Sequence, residues 1–574
     1  MTPSPVSPAA SEPAHASGDA PSGRPPLRIA VAQHAFPVGA LAENARRIRA
    51  SVQQARDELA ADCVLFPELA LTGYPPDDLL LRNDFLAATQ RALDEVAEAC
   101  HGITAIVGAP LYRAGGVRNA AVVLADGQEQ AAVYKRCLPS YSVFDDNRHF
   151  TPGEAPGVVE IAGYRLGVAI CEDLWCGEPV TELAAAGAEL IVALNASPYH
   201  AGKPVEREQV AAERARSSAR PLLYVNMVGG HDEVVYDGGS FACSAAGAVT
   251  ARAPLFEEGG YLFELSAAGK FDGPQATPLE EVAATYQALV RGTADYVRGN
   301  GFAAVVLGLS GGIDSALTAA IAADALGPER VLAVMLPSRY TAQRSCDDAA
   351  ACARALGVEY REIPIEEPVS ACERALAPLF AGCEADVTEE NIQARLRGTL
   401  LMALSNKQGR MLLAAGNKSE LAVGYATLYG DMCGGFAPLK DVYKSEVYRL
   451  AAYRNRLGEA VPQSIIEREP TAELRPEQRD CDSLPPYPQL DALLRRYLEA
   501  DADVADVADV ADVADVADAA ESAVSDLSMA EQQRVIRLLY QNEYKRRQAA
   551  PGVKVTRRAF GRDRRYPITS GWRG

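Results

Sequence analysis

From Leu27 onward, short apolar runs alternate with amphipathic stretches. LRIAVAQ (27–33), CVLFPEL (63–69) and ITAIVGAPLY (103–112) read as buried strands, and AENARRIRASVQQARDELA (42–60) carries its apolar positions at helical spacing. AAVVLADGQEQAAVYK (120–135) predicts two strands about an Asp-Gly turn. Further strands are predicted at YRLGVAICEDLW (164–175), AELIVALNAS (188–197), PLLYVNMVGG (221–230) and GGSFACSAAGAV (238–249). Together these describe a strand-rich α/β domain over 27–270. Turn formers predict a linker over 271–283. A second strand–helix alternation occupies 284–574, with strands at AAVVLGLS (303–310), RVLAVMLPS (330–338) and RMLLAAGN (410–417). Such alternation implies a doubly wound parallel sheet with ligands at the carboxyl ends of its strands.

Two segments fall outside this pattern. Residues 1–26 are rich in Pro, Ala, Ser and Gly, with neither a basic start nor an apolar core. They predict a disordered leader and not a secretory signal. Residues 501–518 repeat Asp-Val-Ala with seven Asp and no basic residue. A period of three drifts by about 60° per repeat around a helix, so no lasting apolar face forms. A solvated surface insertion is expected there.

Composition narrows the class. A chain of 574 residues exceeds one core, and 48% apolar content sustains two large domains. A net charge of −20 argues against a chain-wide grip on nucleic acid but leaves room for a local basic pocket. No apolar run approaches the ~18 residues of a membrane span. The 12 cysteines include no CxxC pair, which argues against zinc and iron–sulfur sites. They read as free thiols of a reducing, cytoplasmic compartment.

Candidate chemistry sits at strand ends. Glu68, Lys135 and Cys171 each follow a predicted strand of the first domain. A Cys becomes a nucleophile beside a cation and a base, Glu can take the thiol proton, and Lys can hold charge on a tetrahedral intermediate. From spacing alone the alternatives stay open: a strand-end Glu, a surface Lys, a buried Cys. In the second domain GLSGGIDS (308–315) joins a strand to an Ala-rich helix, as a phosphate cradle does. It lacks the Lys-Ser/Thr of a Walker-type loop. Asp314 stands in place of that Lys, and as a hard oxygen ligand it suits Mg²⁺.

FPELALTGYPPDDLL (66–80), YKRCLPSYSVFDDNRHF (134–150) and AICEDLW (169–175) together resemble the nitrilase superfamily. The resemblance implies an α-β-β-α sandwich that cleaves a carbon–nitrogen bond, with Glu68 as general base, Lys135 as intermediate stabiliser and Cys171 as nucleophile. The second loop is similar to the pyrophosphate loop of the adenylating ATP pyrophosphatases. PSRYT (337–341), TEENIQARLRG (388–398), GNKSELAVGYATLYGDMCGGFAPLKDVYKSEVYRLA (416–451), SLPPYPQLD (483–491) and the basic tail from Asn542 resemble the glutamine-dependent NAD⁺ synthetase family.

That resemblance implies two reactions in one chain. Glutamine would be hydrolysed at Cys171, with Tyr141, Ser197 and Lys203 in its pocket. ATP would activate the nicotinate carboxylate of deamido-NAD⁺ as an acyl-adenylate, and ammonia would displace AMP. Gly308, Leu309, Ser310, Gly311, Gly312, Ile313, Asp314, Ser315 and Ala415 become ATP-binding candidates. Asn391, Glu420 and Lys545 become deamido-NAD⁺ candidates, Asp314 and Glu420 the Mg²⁺ candidates, and a homo-oligomer the expected assembly. Ala415 departs from the family, which has a hydroxyl residue there. A lost hydrogen bond of about 0.5–1.5 kcal/mol would alter the KM for ATP without abolishing turnover.

Two rivals are weighed. Another ATP-pyrophosphatase amidotransferase would carry a Gly-x-Cys-x-Gly elbow, and Ala169-Ile170-Cys171-Glu172-Asp173 is not one. A non-catalytic nucleotide-binding protein would have lost one of Glu68, Lys135, Cys171 or Asp314, and all four are present.

Overall fold

The computed structural model of the chain describes residues 24–113, 115–500 and 527–572. Most of the expected leader and the Asp-Val-Ala repeat lie outside the described residues.

In chain order the first half contains β1 (Leu27–Gln33), α1 (Leu41–Asp57), β2 (Cys63–Leu65), α2 (Asn83–Ala97), β3 (Thr104–Arg113), β4 (Gly116–Ala125) and β5 (Gln128–Tyr134). Next come β6 (Gly157–Ile161), β7 (Tyr164–Ile170), α3 (Glu172–Cys176), α4 (Glu178–Ala185), β8 (Leu190–Asn195), α5 (Lys203–Ser218) and β9 (Leu222–Asn226). Short strands close it: β10 (Val228–His231), β11 (Val234–Asp237), β12 (Phe241–Cys243), β13 (Val249–Arg252), β14 (Gly259–Leu265) and β15 (Phe271–Asp272). One sheet has the order β15-β14-β1-β2-β3-β4-β5 and the other β13-β12-β9-β8-β7-β6.

Period-two alternation assembles these sheets. Ile29 and Val31 of β1 meet Leu166, Val168 and Ile170 of β7 between the sheets. Ala30 and Ala32 face the α1–α2 layer, and Ala169, Ile191 and Ala193 face α4 and α5. The result is the expected α-β-β-α sandwich.

The second half contains α6 (Glu281–Gly299), β16 (Val305–Gly308), α7 (Ile313–Leu326), β17 (Val331–Met335), α8 (Gln343–Leu356), β18 (Glu359–Glu362), α9 (Glu366–Leu376), α10 (Val387–Gln408) and β19 (Met411–Leu413). The helices α11 (Lys418–Val423), α12 (Lys444–Arg456), α13 (Gln463–Ile466), α14 (Tyr487–Glu499), α15 (Met529–Gln541) and α16 (Glu543–Arg546) follow. The sheet is wholly parallel, in the order β18-β17-β16-β19. Val305 and Leu307 pack under α6 and α7, whereas Val306 packs with Leu401 of α10. Helices therefore cover both faces, as the doubly wound expectation requires.

Several expected boundaries shift for local reasons. The strand predicted to reach Leu69 stops at Leu65, because Pro67 has no N–H to continue the ladder. The strand predicted through Trp175 stops at Ile170, where Cys171 turns at φ 47° into α3. The stretch 221–230 divides at Met227 into β9 and β10. The expected linker opens as β15, with Phe271 opposite Leu265. Arg24, within the expected leader, lies 3.3 Å over the Tyr164 ring and pairs with Glu189 at 2.8 Å.

The two halves interlock. Gly230 of β10 donates its N–H to Asp295 of α6 at 2.7 Å. At Gly292 a Cβ would press on both Val235 and Val553, so only glycine lets helix, hairpin and tail approach this closely. The basic tail re-enters the first domain: Ala201 donates to the Val555 carbonyl at 2.9 Å, and Lys554 to the Glu233 carbonyl at 2.7 Å. Arg562 pairs with Asp77 at 2.7 Å.

Candidate active sites

Three strand ends of the sandwich meet at one buried point. Lys135, just past β5, places its Nζ 2.7 Å from Glu68 Oε1 and 2.6 Å from Asp146 Oδ2. Asn119 of β4 donates to Glu68 Oε1 at 2.8 Å, and the Ala196 amide donates to Oε2 at 3.3 Å. Tyr74 OH holds the far oxygen of Asp146 at 3.0 Å. Glu68, Lys135, Asp146 and Cys171 are all buried.

Electrostatics follow from this burial. Desolvation raises the Cys171 pKa well above its ordinary value, Glu68 adds to the rise, and Lys135 opposes it. Glu68 is also raised, by burial first and against the pull of Lys135. Burial alone would push Lys135 down, but the Glu68 and Asp146 charges overcome it and the net shift is upward. Burial thus favours the thiol form of Cys171, beside the Glu68 carboxyl group and the Lys135 ammonium. Cys171 stands at the β7–α3 corner with φ 47° and ψ −96°, a conformation costly for a side chain with a Cβ.

The glutamine-pocket candidates lie around this point in different settings. Tyr141 OH donates to both oxygens of Glu172, at 3.0 and 2.9 Å, next in the chain to Cys171. Lys203, at the start of α5, lies 3.7 Å over the Trp175 ring and pairs with Glu206 at 3.0 Å. Ser197 is buried, its hydroxyl accepting from Arg207 Nε at 3.0 Å, and Arg207 is itself paired with Asp237 at 2.6 Å. Ser197 is thus held in a fixed polar network. Asp146 and Asn119 were not singled out from the sequence. Asp146 lies in the FDDNRHF stretch, but two adjacent acids there give no sign of which one turns inward.

The second site is a cavity of about 330 Å³ at the carboxyl end of the parallel sheet. Gly308, Leu309, Ser310, Gly312, Ile313, Asp314 and Ser315 line it, as does Ala415. Gly311 lies behind the lining. Its φ is +79° and a Cβ would collide with the Ser345 carbonyl, so the loop needs glycine there. Ser315 Oγ accepts from the Ser310 amide at 3.1 Å and donates to the Gly312 carbonyl at 2.9 Å, which closes the loop on itself.

Asp314 and Glu420 converge on one cation that the sequence reading missed. Lys444 Nζ bonds Asp314 Oδ2 and lies 3.5 Å from Glu420 Oε1, while Asn417 donates to Asp314 Oδ1 at 3.0 Å. Burial and then Asp314 push Glu420 up to about 8, with Lys444 opposing. Burial would lower Lys444, but its two carboxylates raise it. Lys444 belongs to the long motif around Asp441, where several lysines compete for notice.

Asn391 and Lys545 lie outside the lining residues and reach it through one segment. Asn391 Oδ1 accepts from the Thr427 hydroxyl at 2.8 Å, and Lys545 Nζ donates to the Gly424 and Ala426 carbonyls, both at 2.8 Å. Tyr425 and Thr427 of that segment line the cavity.

Known families match the two halves separately. The carbon–nitrogen hydrolase family matches residues 28–270 and the NAD synthase family residues 285–549. A glutamine-dependent NAD(+) synthetase of Xylella fastidiosa is 50% identical over 556 residues, covering 96% of this chain and 99% of the relative. The chain belongs to the glutamine-dependent NAD⁺ synthetases. A Thermotoga maritima synthetase of the same name is 42% identical over 590 residues, covering 95% and 98%. The glutamine-dependent NAD⁺ synthetase of Acinetobacter baumannii, solved with adenosine diphosphate, superposes with a TM-score of 0.76 at 43% identity, covering 95% of this chain and 99% of that one. A Cytophaga hutchinsonii synthetase at 20% identity shares the fold with a TM-score of 0.81, over 95% and 98%. As a synthetase of this family, the chain joins a nitrilase-type glutaminase domain to an NAD synthase domain. Among the described residues no helix is long and apolar enough to cross a membrane.

Proposed function

We propose that Cys171, Glu68 and Lys135 perform the glutaminase step. Glu68 takes the thiol proton as Cys171 sulfur adds to the side-chain amide carbon of glutamine. Lys135, fixed by two carboxylates, stabilises the oxyanion of the tetrahedral intermediate. Glu68 returns the thiol proton to the amide nitrogen as the intermediate collapses, which releases ammonia and leaves a thioester; Glu68, again a carboxylate, then activates the water that frees glutamate and the Cys171 thiol. Tyr141, Ser197 and Lys203 bind the substrate. Ser197 acts from a network already in place, and Lys203 is free to turn its ammonium from Glu206 toward a carboxylate.

In the second domain the loop 308–315 takes the pyrophosphate of ATP, with Gly311 and Gly312 presenting backbone N–H groups. Among the described residues no cluster of three acidic, His or Cys side chains forms a self-contained metal site. Mg²⁺ needs only one or two carboxylates when phosphates complete its shell. Asp314 and Glu420 fit that demand, since both reach one cation, the Lys444 ammonium. Mg²⁺ bound there would neutralise charge on the phosphates. Attack of the nicotinate carboxylate at the α-phosphorus expels pyrophosphate, and ammonia then displaces AMP to give NAD⁺. Asn391 and Lys545 hold deamido-NAD⁺ through the 424–427 segment. By family likeness the working form is a cytoplasmic homo-oligomer, which sedimentation and cell fractionation would test.

The observation that carries this reading is the buried Lys135 bridging Glu68 and Asp146 beside Cys171, in the same chain as the Asp314 loop. With deamido-NAD⁺, ATP and Mg²⁺, Cys171→Ala is expected to lose glutamine-dependent NAD⁺ formation by at least a thousandfold and to keep ammonium-dependent formation within a few-fold. Equal loss with both nitrogen sources would refute the division into two sites.

A further inference from the structure

We propose that Arg468 is a catalytic residue of the adenylation step and contacts the pyrophosphate as it leaves ATP, a role that rests on loop 308–315 as the seat of that pyrophosphate. The fold brings EREPTAEL (467–474) to the second cavity, where Arg468 and Glu473 line the wall together with Ser310, Gly312 and Asp314. Arg468 Nη1 donates to Ser345 Oγ at 2.6 Å, and Nη2 bonds Glu473 Oε1. Ser345 stands in the first turn of α8, and its carbonyl is the atom that a Cβ at Gly311 would strike. Arg468 is thereby tied to the residue against which the loop rests. Lys444 stands instead at Asp314 and is engaged by both Asp314 and Glu420.

Glu473 is held in place independently of Arg468. Its φ is 49°, in the left-handed region, and its amide donates to Thr471 Oγ1 at 3.3 Å. The Leu474 amide donates to Gln478 Oε1 at 2.8 Å, and the Leu474 carbonyl accepts from Gln393 of α10 at 3.0 Å. The Ser345 hydroxyl donates to Glu473 Oε1 at 2.8 Å. When an anion draws Arg468 away, Glu473 keeps this bond and is not left bare. The pair is therefore an exchange site, in which a carboxylate holds the guanidinium until a more highly charged anion arrives.

An arginine suits this task. Its planar fork matches two phosphate oxygens at once, and it stays protonated. As the nicotinate carboxylate attacks the α-phosphorus, the bond from that phosphorus to the bridging oxygen breaks, and the electron pair stays on the β-phosphate. Charge thus grows on the pyrophosphate, and Arg468 meets it with N–H donors while keeping its own proton. Backbone N–H groups of the loop offer dipoles there but no net charge. An interaction that strengthens as charge develops raises kcat more than it lowers KM.

Full-length enzyme is assayed with ammonium as nitrogen source, so that the first domain takes no part. Arg468→Met is expected to lower kcat for pyrophosphate formation about a hundredfold, with the KM for ATP within about fivefold, and Arg468→Lys to recover about tenfold of the loss. Calorimetric titration with Mg²⁺ and inorganic pyrophosphate supplies a second readout. Arg468→Met should bind pyrophosphate about tenfold more weakly than wild type, and Glu473→Gln about threefold more tightly, because the competing carboxylate charge is gone. A pair that only braced the loop would weaken binding in both variants. Equal or weaker binding by Glu473→Gln would therefore overturn the proposal, as would unchanged affinity in Arg468→Met. Gly311→Ala separates Arg468 from the loop itself. Weak binding there with wild-type affinity in Arg468→Met would keep the loop as the pyrophosphate seat and remove Arg468 from it, whereas wild-type affinity in all three variants would refute both.

Discussion

Lys135 is a buried cation with two carboxylate partners, and that asymmetry separates three substitutions. Glu68→Gln leaves a Lys135–Asp146 pair at 2.6 Å, so the buried charge stays balanced. Asp146→Asn likewise leaves the Glu68 pair at 2.7 Å. Lys135→Met leaves two buried carboxylates with no cation. Removing one partner of a buried pair costs about 3–5 kcal/mol, because the remaining charge is uncompensated. All three are expected to lower glutaminase activity strongly, but only Lys135→Met should show a large fall in the urea midpoint at pH 7. Equal midpoints for Lys135→Met and Glu68→Gln would mean that Asp146 does not share the charge. At this scale strand-end chemistry singles out Glu68, Lys135 and Cys171, which the fold brings to one buried point, and the catalytic roles given to them belong to the proposal. The sequence was silent on Asp146, Asn119 and Lys444, because each acts through a contact made across the fold. Nothing in local spacing tells an inward acid from its outward neighbour.

The Gly-rich loop 308–315 illustrates the element scale. β16 delivers it and α7 carries it away, and α8 lies directly behind Gly311. Gly311→Ala meets two penalties, a positive φ costing on the order of 1 kcal/mol and a collision with the Ser345 carbonyl backbone. The loop must move off α8 and lose the aim at the phosphates that the proposed function gives it. ATP-dependent pyrophosphate release is expected to fall at least a hundredfold, while glutamine hydrolysis in the first domain persists. Normal pyrophosphate release would show that the close approach to Ser345 is dispensable. Period-two patterning identified most of the longer strands and both layers of the sandwich, but not the seven-residue β14. It failed at short strands such as β6, β11 and β18, whose few residues hold too little alternation to register. The helix α3 was hidden for a related reason. It has five residues, and the apolar run before it continues smoothly to the Cys171 corner.

At the scale of the whole molecule, the basic tail reads differently from a solvated end. Val555 and Thr556 donate their amides to Asp441 Oδ2 at 2.9 and 2.8 Å, and Lys418 pairs with Asp441 at 2.9 Å, in the chain segments that also carry the cavity residues Glu420 and Lys444. The same strand of tail meets Ala201 next to His200, in the loop that carries Ser197 and Lys203. His200 is therefore a pH-sensitive group at the junction of the two domains. Its Nδ1 donates to the Ala201 carbonyl at 2.8 Å, Glu206 lies 3.7 Å from Nε2, and Lys554 and Lys203 add positive charge nearby. Burial first, then the two lysines, push its pKa down to about 4 against the Ala201 bond and Glu206. An unfolded histidine titrates near 6.5. Between these values the unfolded chain binds the extra proton, so stability is full above pH ~6.5 and falls as pH drops toward 4. The span of the shift corresponds to roughly 3 kcal/mol at the acid end. His200→Gln keeps a donor for the Ala201 carbonyl and removes the titration. Its urea midpoint is expected to fall less than that of wild type between pH 7 and pH 4.5, with the difference opening below pH 6.5. Parallel acid limbs for the two proteins would mean that His200 is solvated in the folded enzyme and that the junction is not closed around it.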